Sequence, residues 1–463
     1  MKSIQRQLNG QRRLLPLILC VALAGSAAAQ DPNGPIPLDD REMPPAGYSG
    51  PVFEPSYDYP TTLPSEQRPW EAIDFKTDPQ AYMEAILAYV LEGQDTSRWT
   101  VGSNPVRHWY HMPWMGPGGK GREFISGLTS ERRSRGGELG TGQVKCRQNW
   151  AVGFYNPTGG YALGRIFAPL KSGTAMQPDL SALPFPEGTV VAKALYTQAD
   201  GSEVALLAGA PTIEANIIKD NNPGDNACPA ESTASGKPTP RTPATMHLLQ
   251  LDVAVRDARA TATGWVFGTF IYDGRIPGSD PWKKVKPVGL MWGNDPTLSD
   301  ADGANGVKPT EGAVFSDFGL GRGFGRAGRM NGPVDNPVSS CMSCHSTAQN
   351  PSSAGMTPDF NANWTTAQCW FRNVPGGQAF GGKPSATTCG VKTSEQSLDY
   401  SLQLAVAVRN LEIAQQNANR GGIKLFGARI FARRLHSADQ PVKVNGVVSL
   451  PISRDEAPST TSK

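Results

Sequence analysis

Glycine and proline constrain the fold of this chain more than any other feature of its sequence. They number 51 and 40 among 463 residues. Both destabilise helix interiors and favour turns, so this composition disfavours a helical bundle or a coiled coil. At about 150 residues per domain, the length allows two or three domains. We therefore predict an α+β chain with a mainly antiparallel β-sheet, flanking helices and long Gly/Pro-rich loops.

Short runs of β-branched and aromatic residues, separated by Gly, Pro and Asn, fill the middle of the chain and predict strands. The candidates are Trp150–Tyr155, Ala162–Ala168, Thr189–Tyr196, Val204–Leu207, Met246–Arg256 and Trp265–Tyr272. A polar insertion at 219–243 is expected to be a surface loop. Residues 145–350 are therefore predicted to form one β-rich domain.

The regions on either side of this domain carry different patterns. A Pro-rich arm spans 30–77, and a helix and aromatic loop region spans 78–144. In the latter, a helix at 78–92 is predicted from Asp78 as N-cap, Pro79 in the first turn and Gly93 as its end. The region 351–463 is predicted to contain a helix at 394–420, capped by Thr393 or Ser394, and a hairpin formed by Lys424–Arg434 and Val442–Leu450.

Residues 1–29 read as an export signal, which places the protein in a bacterial periplasm. A basic segment ends at Arg12-Arg13, an apolar segment runs from Leu14 to Leu23, and Ala27-Ala28-Ala29 offers a cleavage site. The apolar segment is too short to span a bilayer, and no later stretch approaches 18 apolar residues. Lipidation at Cys20 is disfavoured because Leu19, rather than a small residue, precedes it. No membrane span is expected.

Charge and cysteine content exclude some functions and predict a disulfide framework. Four of the 44 basic residues lie in the export signal, which has no acid, so the remainder nearly balances the 41 acidic residues. A nucleic-acid partner is therefore not expected. Cys146, Cys228, Cys369 and Cys389 allow three pairings in an oxidising compartment. We favour Cys369–Cys389, which closes a short local loop, together with Cys146–Cys228.

The chemistry of the chain centres on Cys341-Met342-Ser343-Cys344-His345, which matches C-x-x-C-H, the attachment signature of c-type haem. Two thiols bind the haem vinyl groups as thioethers, and the following imidazole becomes the proximal iron ligand. With 7 cysteines and 5 histidines in the chain, composition alone gives about 0.001 such matches. A partial zinc site and a redox C-x-x-C are weaker interpretations. We therefore predict one covalently attached haem c held by Cys341, Cys344 and His345.

The remaining haem contacts are less well defined by the sequence. Met356 and Met330 are candidate sixth ligands, as are histidines such as His436, but an open sixth site is favoured. His108 and His111 are also candidates, although we favour the simpler interpretation of an aromatic loop packed on the core. Arg322, Arg326 and Arg329 precede the motif and are candidate partners for the haem propionates.

The strand block resembles the cytochrome P-460 family over about residues 145–345. Phe185-Pro186-Glu187-Gly188-Thr189-Val190-Val191-Ala192-Lys193 is similar to its F-x-x-G-T-V-x-x-K strand, which lies upstream of a late C-x-x-C-H. Tyr155-Asn156-Pro157, Leu251–Asp257 and Gly264-Trp265-Val266-Phe267 fit the same order. The resemblance implies that Lys193 bonds covalently to the haem. It also implies that Asp252, where the family has Glu, relays protons.

Both residues have a simpler interpretation, because most strand lysines and aspartates face solvent. Alternation places Lys193 on the fairly apolar face of Val191 and Leu195, which argues for a buried role. The resemblance implies that the haem acts on a small molecule, either by oxidising hydroxylamine or by handling nitric oxide. An electron-transfer cytochrome with a soluble redox partner and a non-catalytic nitric-oxide-binding module stay open, as does a homodimer.

Overall fold

The computed structural model describes residues 38, 41–115, 122–220, 239–320, 325–385, 387–390 and 394–420. The export segment, Cys228, Arg322 and the C-terminal hairpin lie outside the described residues. Within them, a central β-sheet is covered on one face by N-terminal elements and on the other by C-terminal elements. The prediction of a mainly antiparallel sheet with flanking helices is confirmed.

Eight strands form the main sheet, and every neighbouring pair is antiparallel. The strands are β1 (Thr129–Ser130), β2 (Asn149–Tyr155), β3 (Val190–Thr197), β4 (Thr212–Ile218), β5 (Arg241–Arg256), β6 (Trp265–Tyr272), β7 (Val285–Met291) and β8 (Gly312–Val314). Their order is β1-β2-β3-β5-β6-β7-β8, with β4 paired to the first half of β5. Two short strands, β9 (Gln349–Asn350) and β10 (Gln396–Ser397), form a separate ladder.

The strand register aligns residues across the sheet in rows. One row runs Gly153, Lys193, Asp252, Thr269 and Gly289, and the next runs Tyr155, Val191, Ala254, Phe267 and Met291. Because side chains two residues apart point to the same side of a strand, both rows lie on one face. We call this side the inner face and the opposite side the outer face.

N-terminal elements cover the outer face with aromatic and aliphatic side chains. Helix α1 (Pro79–Leu91) begins as predicted, since the Asp78 side chain accepts a hydrogen bond from the Ala81 amide at 3.1 Å. Its Met83 lies so close to Gly268 of β6 that a Cβ there would clash. Phe154 of β2 packs between Trp99 and Trp109, with both ring centroids 5.2 Å away. The described part of the Pro-rich arm contains no strand, but its Phe53, Tyr59 and Trp70 are buried.

C-terminal elements cover the inner face. The helices that follow α1 along the chain are α2 (Pro157–Ser172), α3 (Asp300–Ala304), α4 (Cys341–His345), α5 (Trp364–Ala367) and α6 (Leu402–Arg420). Of these, α4 and the start of α6 lie on the inner face. The N-terminus of α6 lies on β2, where the Tyr155 hydroxyl and Ser401 Oγ are 3.0 Å apart. Among the described residues, none of the helices combines the length and the apolar character needed to cross a bilayer.

Two predicted strands are wrong, and six of the ten described strands were not predicted, of which β4 and β7 are the longest. Residues 162–168 belong to α2, because Asn156 caps its start, Pro157 occupies the first turn and Gly173 ends it with φ +71°. Residues 205–207 form a 3₁₀ turn instead of a strand. Strands β4 and β7 were missed. Pro287 interrupts the pattern of β7, where a register shift at Thr269/Phe270 accommodates a residue that lacks an N–H.

Helix α6 begins eight residues later than predicted. Ser394 is not its cap, and Thr393 lies outside the described residues. Asp399 and Tyr400 adopt left-handed backbone angles with φ +50° and +66°. Asp399 accepts hydrogen bonds from the Phe185 amide at 2.8 Å and Trp265 Nε1 at 3.1 Å, so tertiary contacts fix this segment before the helix starts.

Candidate functional site

The C-x-x-C-H sequence forms helix α4 against the inner face. Ser340 caps it through a capping box, in which its Oγ accepts the Ser343 amide at 3.0 Å and Ser343 Oγ accepts the Ser340 amide at 2.8 Å. Neither Cys341 nor Cys344 is in a disulfide. Burial raises the pKa of the Cys341 thiol, and Asp335 and Asp252 raise it further, so this thiol is uncharged.

The His345 imidazole is held in one orientation by two contacts. Its Nδ1 lies 2.9 Å from the carbonyl oxygen of Tyr400, to which the ring donates as the neutral tautomer, and its ring centroid is 4.7 Å from that of Phe267. Burial lowers the pKa of His345 to about 4, despite the opposing effect of the Tyr400 carbonyl. The imidazole is therefore neutral at pH 7, and the hydrogen bond to Nδ1 leaves Nε2 as the remaining ring nitrogen.

Lys193 and Asp252 form an ion pair in the middle of the inner face. They are directly opposite each other on β3 and β5, and Lys193 Nζ lies 3.1 Å from Asp252 Oδ2. Their side chains are only 24% and 20% exposed. The simpler interpretation, in which each faces solvent, is therefore wrong. The register also explains why two residues 59 positions apart meet, since the β3–β5 ladder aligns them.

The second oxygen of the Asp252 carboxylate is fully occupied. Its Oδ1 accepts hydrogen bonds from Gln250 Nε2 at 2.7 Å and Thr269 Oγ1 at 2.8 Å. Burial raises the pKa of Asp252, while Lys193 opposes that effect. Burial alone would lower the pKa of Lys193, but Glu131, Asp252 and Asp335 more than offset this and raise it, so Lys193 is an ammonium ion.

Two further carboxylates, those of Glu131 and Asp335, interact electrostatically with Lys193, and the sequence indicated neither of them. Glu131 follows β1, and its amide donates to the Asn149 carbonyl at 2.9 Å, which continues the β1–β2 ladder and places Glu131 on the inner face. It is half-buried. Burial raises the pKa of Glu131, an effect that Lys193 opposes and that Asp335 and Asp252 reinforce. The only signal in the sequence was its position beside an arginine-rich segment, which does not predict a buried acid.

The loop before the motif joins the ion pair to α4. The Val334 amide approaches Gln250 Oε1 at 3.5 Å, and a Cβ at Gly332 would clash with Gln250 and Asp335. The same loop accepts a hydrogen bond from Arg132 at the Val334 carbonyl, at 3.1 Å. Helix α4 is therefore held next to the inner face by the residues that surround Lys193 and Asp252.

Helix α6 contributes an amide to the same face. Gln403 lies over Gly153, the neighbour of Lys193 on β2, and leaves no space there for a Cβ. Its Oε1 is buried, and no described residue hydrogen-bonds it. Gly153 is thus required by a close approach of Gln403 rather than by a turn.

The arginines before the motif are engaged elsewhere. Arg326 forms a bidentate ion pair with Asp300, at 2.8 and 2.6 Å, and also donates to the Ala362 carbonyl. Arg329 is buried and donates to the carbonyls of Asn294, Asp295 and Leu298. Both guanidinium groups hold neighbouring loops together, and their contact with haem propionates stays a prediction. Arg322 lies outside the described residues.

The candidate sixth ligands are spread over the molecule. His111 Nδ1 accepts the Ser56 amide at 2.9 Å, and His108 Nε2 lies 2.8 Å from Ser56 Oγ, so both histidines bind the N-terminal arm. Their neighbour Trp109 packs on the outer face, which confirms an aromatic loop packed on the core. Met330 is buried, and its carbonyl accepts the Cys341 amide at 3.2 Å. Met356 is half-buried, and His436 lies outside the described residues.

One predicted disulfide is confirmed. Cys369 and Cys389 are joined, with a sequence separation of 20 residues. Cys146 is also disulfide-bonded, but its proposed partner Cys228 lies outside the described residues, so that pairing stays a prediction.

The described residues contain no group of three His, Cys, Asp or Glu side chains that could hold a metal ion by themselves. The C-x-x-C-H helix and the charged inner face therefore form the candidate site. No protein-family model, no curated protein and no solved structure matches the chain.

Proposed function

We propose that the chain is an exported, periplasmic monohaem c-type cytochrome whose haem carries out redox chemistry on a small molecule such as hydroxylamine or nitric oxide. One observation carries this proposal. The C-x-x-C-H helix, with its oriented imidazole, packs beside a mostly buried Lys193–Asp252 pair. Buried ion pairs are costly, and replacing both partners with apolar residues of similar size often stabilises a protein. The presence of such a pair beside a cofactor motif therefore favours a functional role.

The residues present meet the requirements of a c-type haem. The hydrogen bond from Nδ1 to Tyr400 is the kind of contact that fixes the tautomer of an iron-ligating histidine and leaves Nε2 for the metal. Both motif cysteines are outside disulfides. Lys193 and Asp252 lie between the sheet and α4 but keep about a quarter and a fifth of their side-chain surface exposed. Solvent therefore reaches the space between the two layers.

When bound, haem c would supply an iron that changes oxidation state and binds a small ligand. The protein would supply the side chains that bind and orient the substrate. Lys193, as an ammonium ion, donates hydrogen bonds to a ligand or substrate oxygen. Asp252 holds Lys193 in place and is itself fixed by Gln250 and Thr269. Asp252 thus orients Lys193, and the proton relay implied by the resemblance uses the pair as a unit.

The covalent bond between Lys193 and the haem, implied by the P-460 resemblance, is the alternative within this proposal, because a bonded Lys193 would no longer be a free ammonium ion. A lysine must be neutral to act as a nucleophile. The carboxylates around Lys193 keep its proton in place, because they raise the pKa of Lys193. Formation of the bond would therefore require the proton to leave through Asp252, and an external two-electron oxidant would have to accept the electrons released as the N–C bond replaces a haem C–H bond.

Absorption spectra of the purified protein, oxidised and reduced, together with the intact mass of the C-x-x-C-H peptide, test the proposal. We expect a peptide mass increased by one haem, and loss of the pigment in a Cys341→Ser/Cys344→Ser variant. The matched control is Cys369→Ser/Cys389→Ser, which removes the Cys369–Cys389 disulfide and should keep the pigment. A wild-type protein that is colourless when coexpressed with a haem-attachment system would refute the proposal.

Lys193→Arg separates the possible reactions. A strongly red-shifted ferrous Soret band that this variant abolishes would establish the covalent lysine and make hydroxylamine turnover the next assay. Sharp low-spin bands would instead establish an electron carrier. Met330 is then the first candidate ligand, because it is buried next to Cys341. An ordinary five-coordinate spectrum without turnover would indicate a nitric-oxide-binding module.

A further inference from the structure

The carbonyl that accepts the hydrogen bond of the His345 ring belongs to a strained turn. Asp399 and Tyr400 are consecutive residues with left-handed backbone angles, φ +50° and +66°. These angles are unfavourable for a residue with a Cβ, and a bulky residue such as tyrosine rarely adopts them. The Tyr400 carbonyl nevertheless lies 2.9 Å from His345 Nδ1. Strained backbone persists only where surrounding contacts enforce it, so the contacts that hold this turn also bear on His345.

The Asp399 carboxylate supplies those contacts. It is fully buried, and each of its oxygens accepts a hydrogen bond from a different part of the sheet. Oδ2 accepts the amide of Phe185, which lies shortly before β3, at 2.8 Å. Oδ1 accepts Nε1 of Trp265, the first residue of β6, at 3.1 Å. The carboxylate therefore ties the turn to the two segments that lead into β3 and β6.

Both anchors of Asp399 lie in segments that stood out in the sequence. Phe185 is the first residue of the segment that ends at Lys193, and Trp265 belongs to Gly264-Trp265-Val266-Phe267. The rings of Phe185 and Trp265 also contact each other, with centroids 6.0 Å apart. The proposed chemistry uses Lys193 but gives Phe185 and Trp265 no part. Their meeting at Asp399 connects them to the ligand of the haem iron.

We propose that Asp399 is a positioning residue that holds the Tyr400 carbonyl on His345 Nδ1 and thereby sets the reduction potential of the haem. This inference rests on the proposed haem function and deepens it. Asp399 acts through the backbone of the turn and does not touch the haem. Groups that orient a metal-binding histidine in this way influence the metal almost as strongly as the ligands themselves.

The direction of the effect follows from the hydrogen bond. A carbonyl that accepts the Nδ1–H bond makes Nε2 a better electron donor, which favours ferric over ferrous iron and lowers the potential. The bond is directional, so it weakens when the carbonyl moves. A turn that Asp399 no longer holds would relax towards negative φ, which reorients the Tyr400 peptide group. The imidazole of His345 would then donate less strongly, and the potential would rise.

A spectroelectrochemical titration of the intact, haem-loaded protein tests the proposal. Trp265→Phe removes one donor to Asp399, keeps an aromatic ring and leaves the net charge unchanged, so a change in potential cannot come from a lost charge. We expect a higher potential than in the wild type. About a tenfold loss of preference for ferric iron corresponds to a rise of about 59 mV.

A second variant changes Asp399 itself and also conserves charge. Asp399→Glu moves the carboxylate by one methylene, away from the positions that Phe185 and Trp265 require, and should raise the potential at least as much as Trp265→Phe. Because Trp265 acts through Asp399, the double variant should have the potential of Asp399→Glu alone. Additive shifts in the double variant would contradict a shared route.

Trp99→Phe is the matched control on the outer face. Trp99 is also a buried tryptophan, and its Nε1 donates to the Tyr196 hydroxyl at 2.7 Å. The substitution therefore removes a comparable hydrogen bond and should reduce stability while leaving the potential at the wild-type value. Far-UV circular dichroism of each variant establishes that it is folded. If Asp399→Glu does not fold, the comparison of Trp265→Phe with Trp99→Phe decides.

Two results would overturn the inference. An unchanged potential in folded, haem-loaded Trp265→Phe and Asp399→Glu would leave Asp399 a purely structural role. An equal rise in Trp99→Phe would mean that any loosening of the fold moves the potential. A wild-type protein that carries no haem would instead refute the proposed function.

Discussion

On the outer face of the sheet, Phe154 is enclosed by Trp99 and Trp109, whereas on the inner face the next strand carries Lys193 opposite Asp252. The first arrangement is what stabilises a sheet, because burial of large aromatic groups is favourable. The second removes charges from water at a cost. The comparison teaches that the faces differ in one row of residues. The inner face, which also buries Tyr155 and Phe267, keeps a costly charged row, whereas the outer face carries apolar packing at the same position.

The largest effect is expected on the outer face. Phe154→Ala removes a fully buried ring between two tryptophans and should lower the free energy of unfolding by about 3–5 kcal/mol. Urea denaturation followed by tryptophan fluorescence measures this change. If the loss were below about 1 kcal/mol, the outer face would not be the main stabilising layer.

A smaller effect is expected at the ion pair. Lys193→Met leaves Glu131, Asp252 and Asp335 without their shared cation and should cost about 3 kcal/mol. The double variant Lys193→Met/Asp252→Leu should recover most of this loss, because apolar residues of similar size replace a buried pair without desolvation. Urea denaturation of both variants measures the difference. A double variant less stable than Lys193→Met would mean that the pair is kept for stability, which would break the division between the faces.

The smallest effect concerns pH. The pKa of Glu131 is raised in the folded protein, so Glu131 keeps its proton in the folded state at pH values where the unfolded chain has lost it. Its contribution to stability is therefore present below the ordinary carboxyl pKa and lost as pH rises through the folded pKa. Glu131→Gln should gain stability relative to the wild type as pH rises from about 4 to about 7. Thermal unfolding at several pH values measures this trend, and Glu84→Gln should show no such gain.

The sequence predicted the elements whose signals are local. Asp78 and Pro79 marked the start of α1, and alternating apolar residues marked β2, β3, β5 and β6. Residues 162–168 of α2 were wrongly predicted as a strand, because their buried apolar residues also suit a strand and the N-cap at Asn156 was overlooked. The start of α6 could not be predicted, since Asp399 is bound by Phe185 and Trp265, which are distant in sequence.

The candidate site likewise contains residues that the sequence indicated and residues whose position depends on distant contacts. Lys193 and Asp252 were indicated by a resemblance and by strand alternation, and the structure brings both beside the C-x-x-C-H helix. Glu131 was missed because β1 has two residues, which is too short for an alternation pattern. Its role depends on pairing with β2, and the register of a ladder is set by long-range contacts. Arg326 was a reasonable candidate from its position, but its partner Asp300 is fixed by the fold.

The bond from the His345 ring to the Tyr400 carbonyl has a consequence for the order of assembly. A chain is made from its N-terminus, so His345 is synthesised 55 residues before Tyr400, and Cys341 and Cys344 are synthesised before His345. While Tyr400 is missing, the imidazole lacks the acceptor that fixes its rotation. If the proposed haem is attached at that stage, the imidazole is oriented only afterwards, when Tyr400 comes into place.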